Sequence, residues 1–117
     1  MGRFTFKKDE RLAKRPEFER VMAEGQKTRI DRICILFLSP NGLNRSRLGI
    51  IASRKIGNSP IRNRAKRKIR EVFRHLKGRI RSPIDIVVIS GKDLAPLPFS
   101  ILEKKFSEIL LTKSKTL

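Results

Sequence analysis

The stretch from Arg54 to Lys77 constrains this chain more than any other, because it combines an apolar helical stripe with an almost wholly cationic remainder. Ser59 is placed to cap a helix, and Pro60 suits the first helical position, where its missing N–H costs nothing. Gly78 follows as a natural stop. Apolar residues recur between them at helical spacing: Ile61, Ala65, Ile69, Val72, Phe73 and Leu76. The stretch is therefore predicted to be a helix with one face packed on a core.

The polar positions of this helix carry almost only positive charge. One outward face holds Asn63, Arg67, Arg70 and Arg74, while Arg62 and Lys66 flank the stripe on one side and Arg64 and Lys68 on the other. Like charges at helical spacing repel, and Glu71 alone offsets them. A solvated surface helix normally mixes both signs. The pattern instead favours a helix that binds a polyanion.

The charge of the whole chain supports this interpretation. Its 117 residues fit one domain, predicted over 1–117, and 38% of them are hydrophobic, enough for a core. The net charge is +18, and residues 53–81 alone hold 12 cations and one carboxylate. Such a charge points to nucleic acid or to an anionic membrane.

A membrane is the weaker of these two partners. The longest apolar run, Ile33–Leu38, has six residues, against about 20 needed to cross a bilayer. The N-terminus has no signal-peptide pattern, so we expect a cytoplasmic protein. The single cysteine, Cys34, lies in the apolar run and is predicted to be a small buried hydrophobe.

The remaining segments predict an α+β fold with the element order α-β-β-α-β-α, one small sheet with helices packed on it. Residues 1–13 are expected to form an extended arm. A short helix is predicted at Pro16–Glu24, strands at Arg32–Ser39, Arg47–Ser53 and Ile84–Ser90, and a last helix with Ser100 and Glu103 at capping-box spacing. The first two strands are expected to pair as a hairpin, and the tail from Thr112 to fray.

The residues suggest no catalytic or metal centre in the protein. His75 is the single histidine and falls in the last turn of the basic helix, where a cation suits the helix dipole. The carboxylates are scattered and form no metal-binding motif. The chain also lacks Trp, Tyr and the aromatic strand motif of RNA-recognition platforms. We therefore expect cations to recognise the backbone and shape of a nucleic acid, with little readout of its bases.

One string of residues is similar to a known signature. It runs from Arg47 to Glu71 and contains Ser53-Arg-Lys-Ile-Gly-Asn58, then Arg62-Asn-Arg64, Lys66-Arg67 and Arg70-Glu71. This order and spacing closely resemble the bacterial ribonuclease P protein subunit. Arg11-Leu12 followed by Glu17-Phe18 also looks like the N-terminal pattern of that family, so the resemblance covers most of the chain.

The resemblance implies a protein subunit that assists a catalytic RNA in removing the 5′ leader of precursor tRNA. The RNA, with Mg²⁺, would carry out the hydrolysis, so no catalytic or metal-binding residue is expected in the protein, and no protein oligomer is required. It also implies a left-handed crossover between the strands at Arg47–Ser53 and Ile84–Ser90, against the usual right-handed connection.

Site residues follow from the same resemblance. Those implied to bind the RNA subunit are Arg54, Lys55, Asn58, Arg62, Asn63, Arg64, Lys66, Arg67, Arg70 and Arg74. Those implied to form the leader cleft are Arg11, Phe18, Met22, Ser53 and Lys92. Met22 stands where the family commonly has an aromatic residue, and Gly91 where a cation is frequent.

Two other functions compete with this one. A general basic protein that coats RNA or DNA, of ribosomal or nucleoid type, would not distinguish precursor from mature tRNA. A protein-only nuclease would cleave without an RNA subunit.

Overall fold

The computed structural model describes residues 8–117, except for the side chain of Thr116, and has the predicted α+β class. Its helices are α1 (Arg15–Glu24), α2 (Ser59–Leu76) and α3 (Phe99–Lys113). Its strands are β1 (Gln26–Ile30), β2 (Cys34–Pro40), β3 (Arg47–Ile51) and β4 (Ile84–Ser90). Among the described residues, no helix combines the length and apolarity needed to cross a membrane.

The sheet has the order β1-β2-β4-β3, which corrects two predictions. β1 was not predicted, because its sequence QKTRI is polar and its cations are exposed at the sheet edge. The expected hairpin between β2 and β3 is wrong, since β2 forms its hairpin with β1, and β4 lies between β2 and β3. β4 is almost entirely buried, so its apolar side chains favour a central position.

Both faces of the sheet are covered by helices. Alternate residues of β2 and β4, such as Leu36 and Ile86, join α2 and α3 in the larger core. Their neighbours Phe37 and Val87 belong to a smaller cluster with α1 on the opposite face. β3 is parallel to β4 and connected to it through α2. The left-handed sense of this connection stays a prediction.

The apolar stripe of α2 is confirmed, but the ends of the helix differ from the prediction. Asn58, not Ser59, is the N-cap: it has extended backbone, and its side-chain oxygen accepts a hydrogen bond from the Ile61 N–H at 3.2 Å. Ser59 is already helical, and its hydroxyl accepts a bond from Arg62 instead. Gly78 lies inside a short 3₁₀ turn, Lys77–Arg79, that extends the helix.

The helix α3 also departs from the sequence prediction at both ends. Its N-cap is Pro98, without a side-chain hydrogen bond, so the expected capping box is wrong. Glu103 instead contacts His75 of α2, with Nδ1 and Oε2 3.0 Å apart. The end does not fray from Thr112, because α3 continues to Lys113 and a 3₁₀ turn follows in which Ser114 is buried.

The N-terminal segment was predicted as an extended arm over residues 1–13, of which 1–7 lie outside the described residues. Lys8–Glu10 form a 3₁₀ turn, and Arg11 then pairs with Leu48 beside β3. Glu10 is buried and forms an ion pair with Lys77 at 2.7 Å. The segment is thus fastened near the C-terminal end of α2.

Candidate nucleic-acid interface

The first candidate surface is the cationic side of α2 with the loop before it. Packing of the apolar stripe on the sheet turns the remaining positions outward, so that Asn63, Arg67 and Arg70 are exposed. Within the described part of the chain, six predicted cations have no side-chain hydrogen bond or ion pair: Arg54, Lys55, Arg64, Lys66, Arg67 and Arg70. A polyanion can therefore bind them without first breaking an internal contact.

Three other cations of α2 are engaged by the protein itself. Arg74 pairs with Glu71 one turn earlier, and Arg62 donates to the Ser59 hydroxyl at 2.8 Å. Lys68 donates to the carbonyl oxygens of Ala95 and Leu97 at 2.6 and 2.5 Å. Desolvation by burial, together with the charge of Arg64, lowers the pKa of Lys68. This lysine fastens the segment before α3 onto α2.

The loop between β3 and α2 is shaped by local bonds. Ser53 accepts a hydrogen bond from the Lys55 N–H at 3.3 Å and begins a 3₁₀ turn, Arg54–Ile56. Gly57 has a φ of +147°, and a Cβ there would lie 2.8 Å from Ile61 Cδ1, so the position requires glycine. The loop therefore delivers Arg54 and Lys55 to the start of α2 in a fixed arrangement.

The second candidate surface is a groove beside α1, with a volume of about 410 Å³. Phe18 and Met22 of α1 line it together with Ile51 of β3, and all three are half-buried. The Phe18 ring lies directly against Gly49, where a Cβ would come within 2.6 Å of ring carbons. A glycine in β3 thus makes room for the ring, which has one side packed on the strand and another facing the groove.

Two isoleucines in neighbouring strands, Ile89 and Ile35, extend the apolar floor beyond Ile51 and the groove. Ile51 pairs with Ile89, and Ile89 pairs with Ile35, so they form one row across the sheet on the side of α1. All three are half-buried. Sequence reasoning did not single them out, although strand alternation from the buried Phe37 and Val87 assigns Ile35 and Ile89 to this face.

Not every predicted cleft residue reaches the groove. Phe18 and Met22 line it, whereas its lining includes neither Ser53, which caps the turn after β3, nor Lys92, which lies in the turn after β4. Both are exposed beyond the carboxyl ends of their strands.

Arg11 lies in a second hollow, of about 150 Å³, between the N-terminal segment and α2. Phe18, Lys66 and Arg70 also line it. Because Phe18 borders both hollows, the groove and the cationic helix meet at this ring. The resemblance implies one set of residues for the RNA subunit and another for the leader, and in the structure the two sets adjoin at Phe18.

A buried ionic cluster holds α1 on the sheet. Asp85 of β4 is fully buried and accepts hydrogen bonds from Arg47 at 2.8 and 2.9 Å and from Arg20 of α1 at 2.5 Å. Asn41 donates to the same carboxylate at 2.9 Å. Burial alone raises the pKa of Asp85, but the bonds from Arg47 and Asn41 and the charges of both arginines outweigh it and lower the pKa.

The described residues contain no group of three or more His, Cys, Asp or Glu that could hold a metal ion. Cys34 is buried, as predicted, and desolvation raises the pKa of its thiol to about 12. His75 contacts Glu71 and Glu103 and meets the Phe99 ring edge-on at 5.7 Å, a structural position between α2 and α3.

Comparison with known proteins identifies relatives over most of the chain. The family model Ribonuclease P matches residues 6–114. The ribonuclease P protein component of Caldanaerobacter subterraneus subsp. tengcongensis is 37% identical over 86% of this chain and 85% of its own. That of Thermotoga maritima is 43% identical over 78% and 77%.

Solved structures show the same fold. The ribonuclease P protein from Thermotoga maritima superposes with a TM-score of 0.77 at 36% identity, covering 88% of this chain and 96% of its own. The protein from Staphylococcus aureus gives a TM-score of 0.74 at 30% identity, covering 91% and 95%.

Proposed function

Since this chain belongs to the ribonuclease P protein family, we propose that it binds the ribonuclease P RNA through α2 and receives the 5′ leader of precursor tRNA in the groove beside α1. The chain is a protein subunit of ribonuclease P, an enzyme of tRNA processing, and its partner is the RNA of that enzyme. The assignment of each RNA to a surface is the proposal.

The observation that carries it is the set of six cations on α2 and its preceding loop that have no internal partner among the described residues. Elsewhere this chain does pair cations, as in Arg47 with Asp85 and Lys77 with Glu10. Arginine is suited to phosphate because its planar guanidinium can donate two parallel hydrogen bonds. A row of such groups on a rigid helix matches the spaced phosphates of a folded RNA.

The groove supports the second half of the proposal. Phe18 and Met22 present an aromatic ring and a thioether above a floor of isoleucines, surfaces on which an unstacked base can pack. Single-stranded RNA offers such bases, whereas a duplex hides them. Because the groove and the hollow at Arg11 share Phe18, a leader in the groove can continue past Arg11 toward α2. Ser53 and Lys92, exposed at the strand ends, could then contact the leader outside the groove itself.

We assign the hydrolysis to the RNA subunit with Mg²⁺ and no chemical step to the protein. The described residues do not fit a metal-binding role, because they contain no cluster of suitable ligands. Their contribution is to bind and orient RNA, which lowers the entropic cost of bringing substrate to the catalytic RNA. The cytoplasmic location expected from the sequence belongs to the same proposal.

A reconstitution assay tests this function against its two rivals. Labelled precursor tRNA is incubated with the protein alone, with the ribonuclease P RNA alone and with both, at near-physiological Mg²⁺. We expect cleavage at the mature 5′ end with both, and more slowly with RNA alone. Cleavage by the protein alone would indicate a protein nuclease. No gain from the protein, together with equal affinity for precursor and mature tRNA, would indicate a general RNA-coating protein.

A further inference from the structure

A hollow at the C-terminal end of α2 is lined by cations that belong to neither of the two candidate surfaces. It has a volume of about 190 Å³ and is formed where the 3₁₀ turn after α2 meets the end of α3. Its lining consists of Arg79, Arg81, Leu111, Ser114 and Lys115. This space is several times the volume of about 30 Å³ that one water molecule occupies in the liquid. It therefore has room for a phosphate group.

The hollow has three cations and no carboxylate in its lining. Arg79, Arg81 and Lys115 are exposed, and no hydrogen bond or ion pair engages their side chains within residues 8–117. The carbonyl end of α3 accounts for Lys115, because cations there interact favourably with the helix dipole. The carbonyl end of α2 favours Arg79 in the same way, because Arg79 lies in the 3₁₀ turn that extends this helix, whereas Arg81 lies beyond both helices.

A polar floor accompanies these charges. Ser114 is only 4% exposed, and its hydroxyl, which forms no hydrogen bond with the residues described, is accessible from the hollow. A hydroxyl can donate one bond to an anion, and two arginines can donate several more. Leu111, half-buried against the main core, closes the apolar side. No carboxylate of the protein lines the hollow, so these donors have no acceptor there. The oxygens of a phosphate group would supply one.

We propose that this hollow binds a backbone phosphate of RNA, as a contact separate from the cationic face of α2. The proposal rests on the proposed function, because only a protein that binds the ribonuclease P RNA and precursor tRNA has an RNA phosphate to place in the hollow. The 3₁₀ turn follows α2 without a break, and α2 spans about 27 Å, from 18 residues at 1.5 Å each. An RNA that tracks α2 from the Arg54 loop therefore reaches Arg79 and Arg81 at the other end.

The test compares two double variants of the full-length protein. Arg81→Ala with Lys115→Ala removes two charges from the hollow, and Lys104→Ala with Lys105→Ala removes two charges from α3 outside it. Each is titrated with the ribonuclease P RNA across a salt series, and each holoenzyme is titrated with precursor tRNA. Thermal melts check that both variants fold.

We expect the variant Arg81→Ala with Lys115→Ala to bind one of the two RNAs about tenfold more weakly, because it loses one charge-assisted contact with a phosphate. The magnitude of the salt slope should fall by about one unit. The RNA that shows this loss is the one in contact. Equal, small effects of both double variants on both RNAs would overturn the proposal. If the unaltered protein bound neither RNA, or Arg67→Ala had no effect, the proposed function itself would be wrong instead.

Discussion

Replacing Phe18 with alanine removes the ring at which the groove and the cationic helix meet. Phe18 is half-buried, with its ring against Gly49 and a second side facing the groove. Truncation of a fully buried phenylalanine costs about 3–5 kcal/mol of folding free energy. Because part of this ring is already exposed, we expect about 1.5–3 kcal/mol. The variant should therefore remain folded at 25 °C.

The binding defect of Phe18→Ala should be selective. A base stacked on an aromatic ring contributes about 1–3 kcal/mol, so precursor tRNA should bind the holoenzyme about 5- to 150-fold more weakly. Mature tRNA, which has no leader, should bind almost unchanged. The measurement is a pair of equilibrium titrations with precursor and mature tRNA, beside a thermal melt of the free protein.

Val21→Ala is the matched control for this prediction. Val21 lies on the same helix and is fully buried, but it does not line the groove. Its truncation should lower stability by about 2 kcal/mol and leave the discrimination between the two tRNAs intact. If Phe18→Ala weakened both tRNAs equally, or if Val21→Ala produced the same selective loss, Phe18 would be a core residue and not a leader contact.

Three further perturbations test how the fold positions these surfaces. Gly49→Ala should destabilise the protein by about 1–3 kcal/mol, because its Cβ would press on the Phe18 ring. A loss of less than about 0.3 kcal/mol of unfolding free energy, measured with denaturant, would contradict that contact. Asn58→Ala should cost about 1 kcal/mol, and Ser59→Ala clearly less, in denaturant unfolding; equal costs would refute the cap assignment. The pKa of Asp85 is lowered in the folded protein, so its stabilising contribution is complete above its ordinary value of 3.8 and is lost as pH falls through the folded pKa. Asp85→Asn should accordingly lower stability at neutral pH and flatten its acid dependence, whereas an unchanged acid limb in unfolding curves would show that the carboxylate is not the titrating group.

Sequence patterns predicted those elements whose signal lies within one segment. The stripe of α2 repeats over more than four turns, and β4 is a continuous apolar run, so both were located closely. β1 lacked such a signal, because an edge strand with exposed Lys27 and Arg29 resembles a polar loop. The neighbours of β4 depend on contacts between distant segments, which local patterns do not encode.

In the candidate site, too, features within one segment could be predicted and contacts between distant segments could not. The cations of α2 could be predicted because they share one helix. The row of Ile51, Ile89 and Ile35 could not, since each lies in a different strand and only the register brings them together. Asn58 shows a further difficulty, because a residue expected to contact RNA also caps the helix that carries the other contacts.

The salt dependence of binding to the ribonuclease P RNA tests the central claim, that α2 is the RNA interface, most directly. With about five to eight phosphate contacts, the logarithm of the binding constant should fall with the logarithm of salt concentration at a slope of about −4 to −7. Arg67→Ala and Arg70→Ala should each reduce this slope by about one unit without changing the melt. Lys104→Ala on α3 removes the same charge and should leave the slope almost unchanged. A slope near zero for the unaltered protein, or equal slopes for Arg67→Ala and the unaltered protein, would contradict the claim.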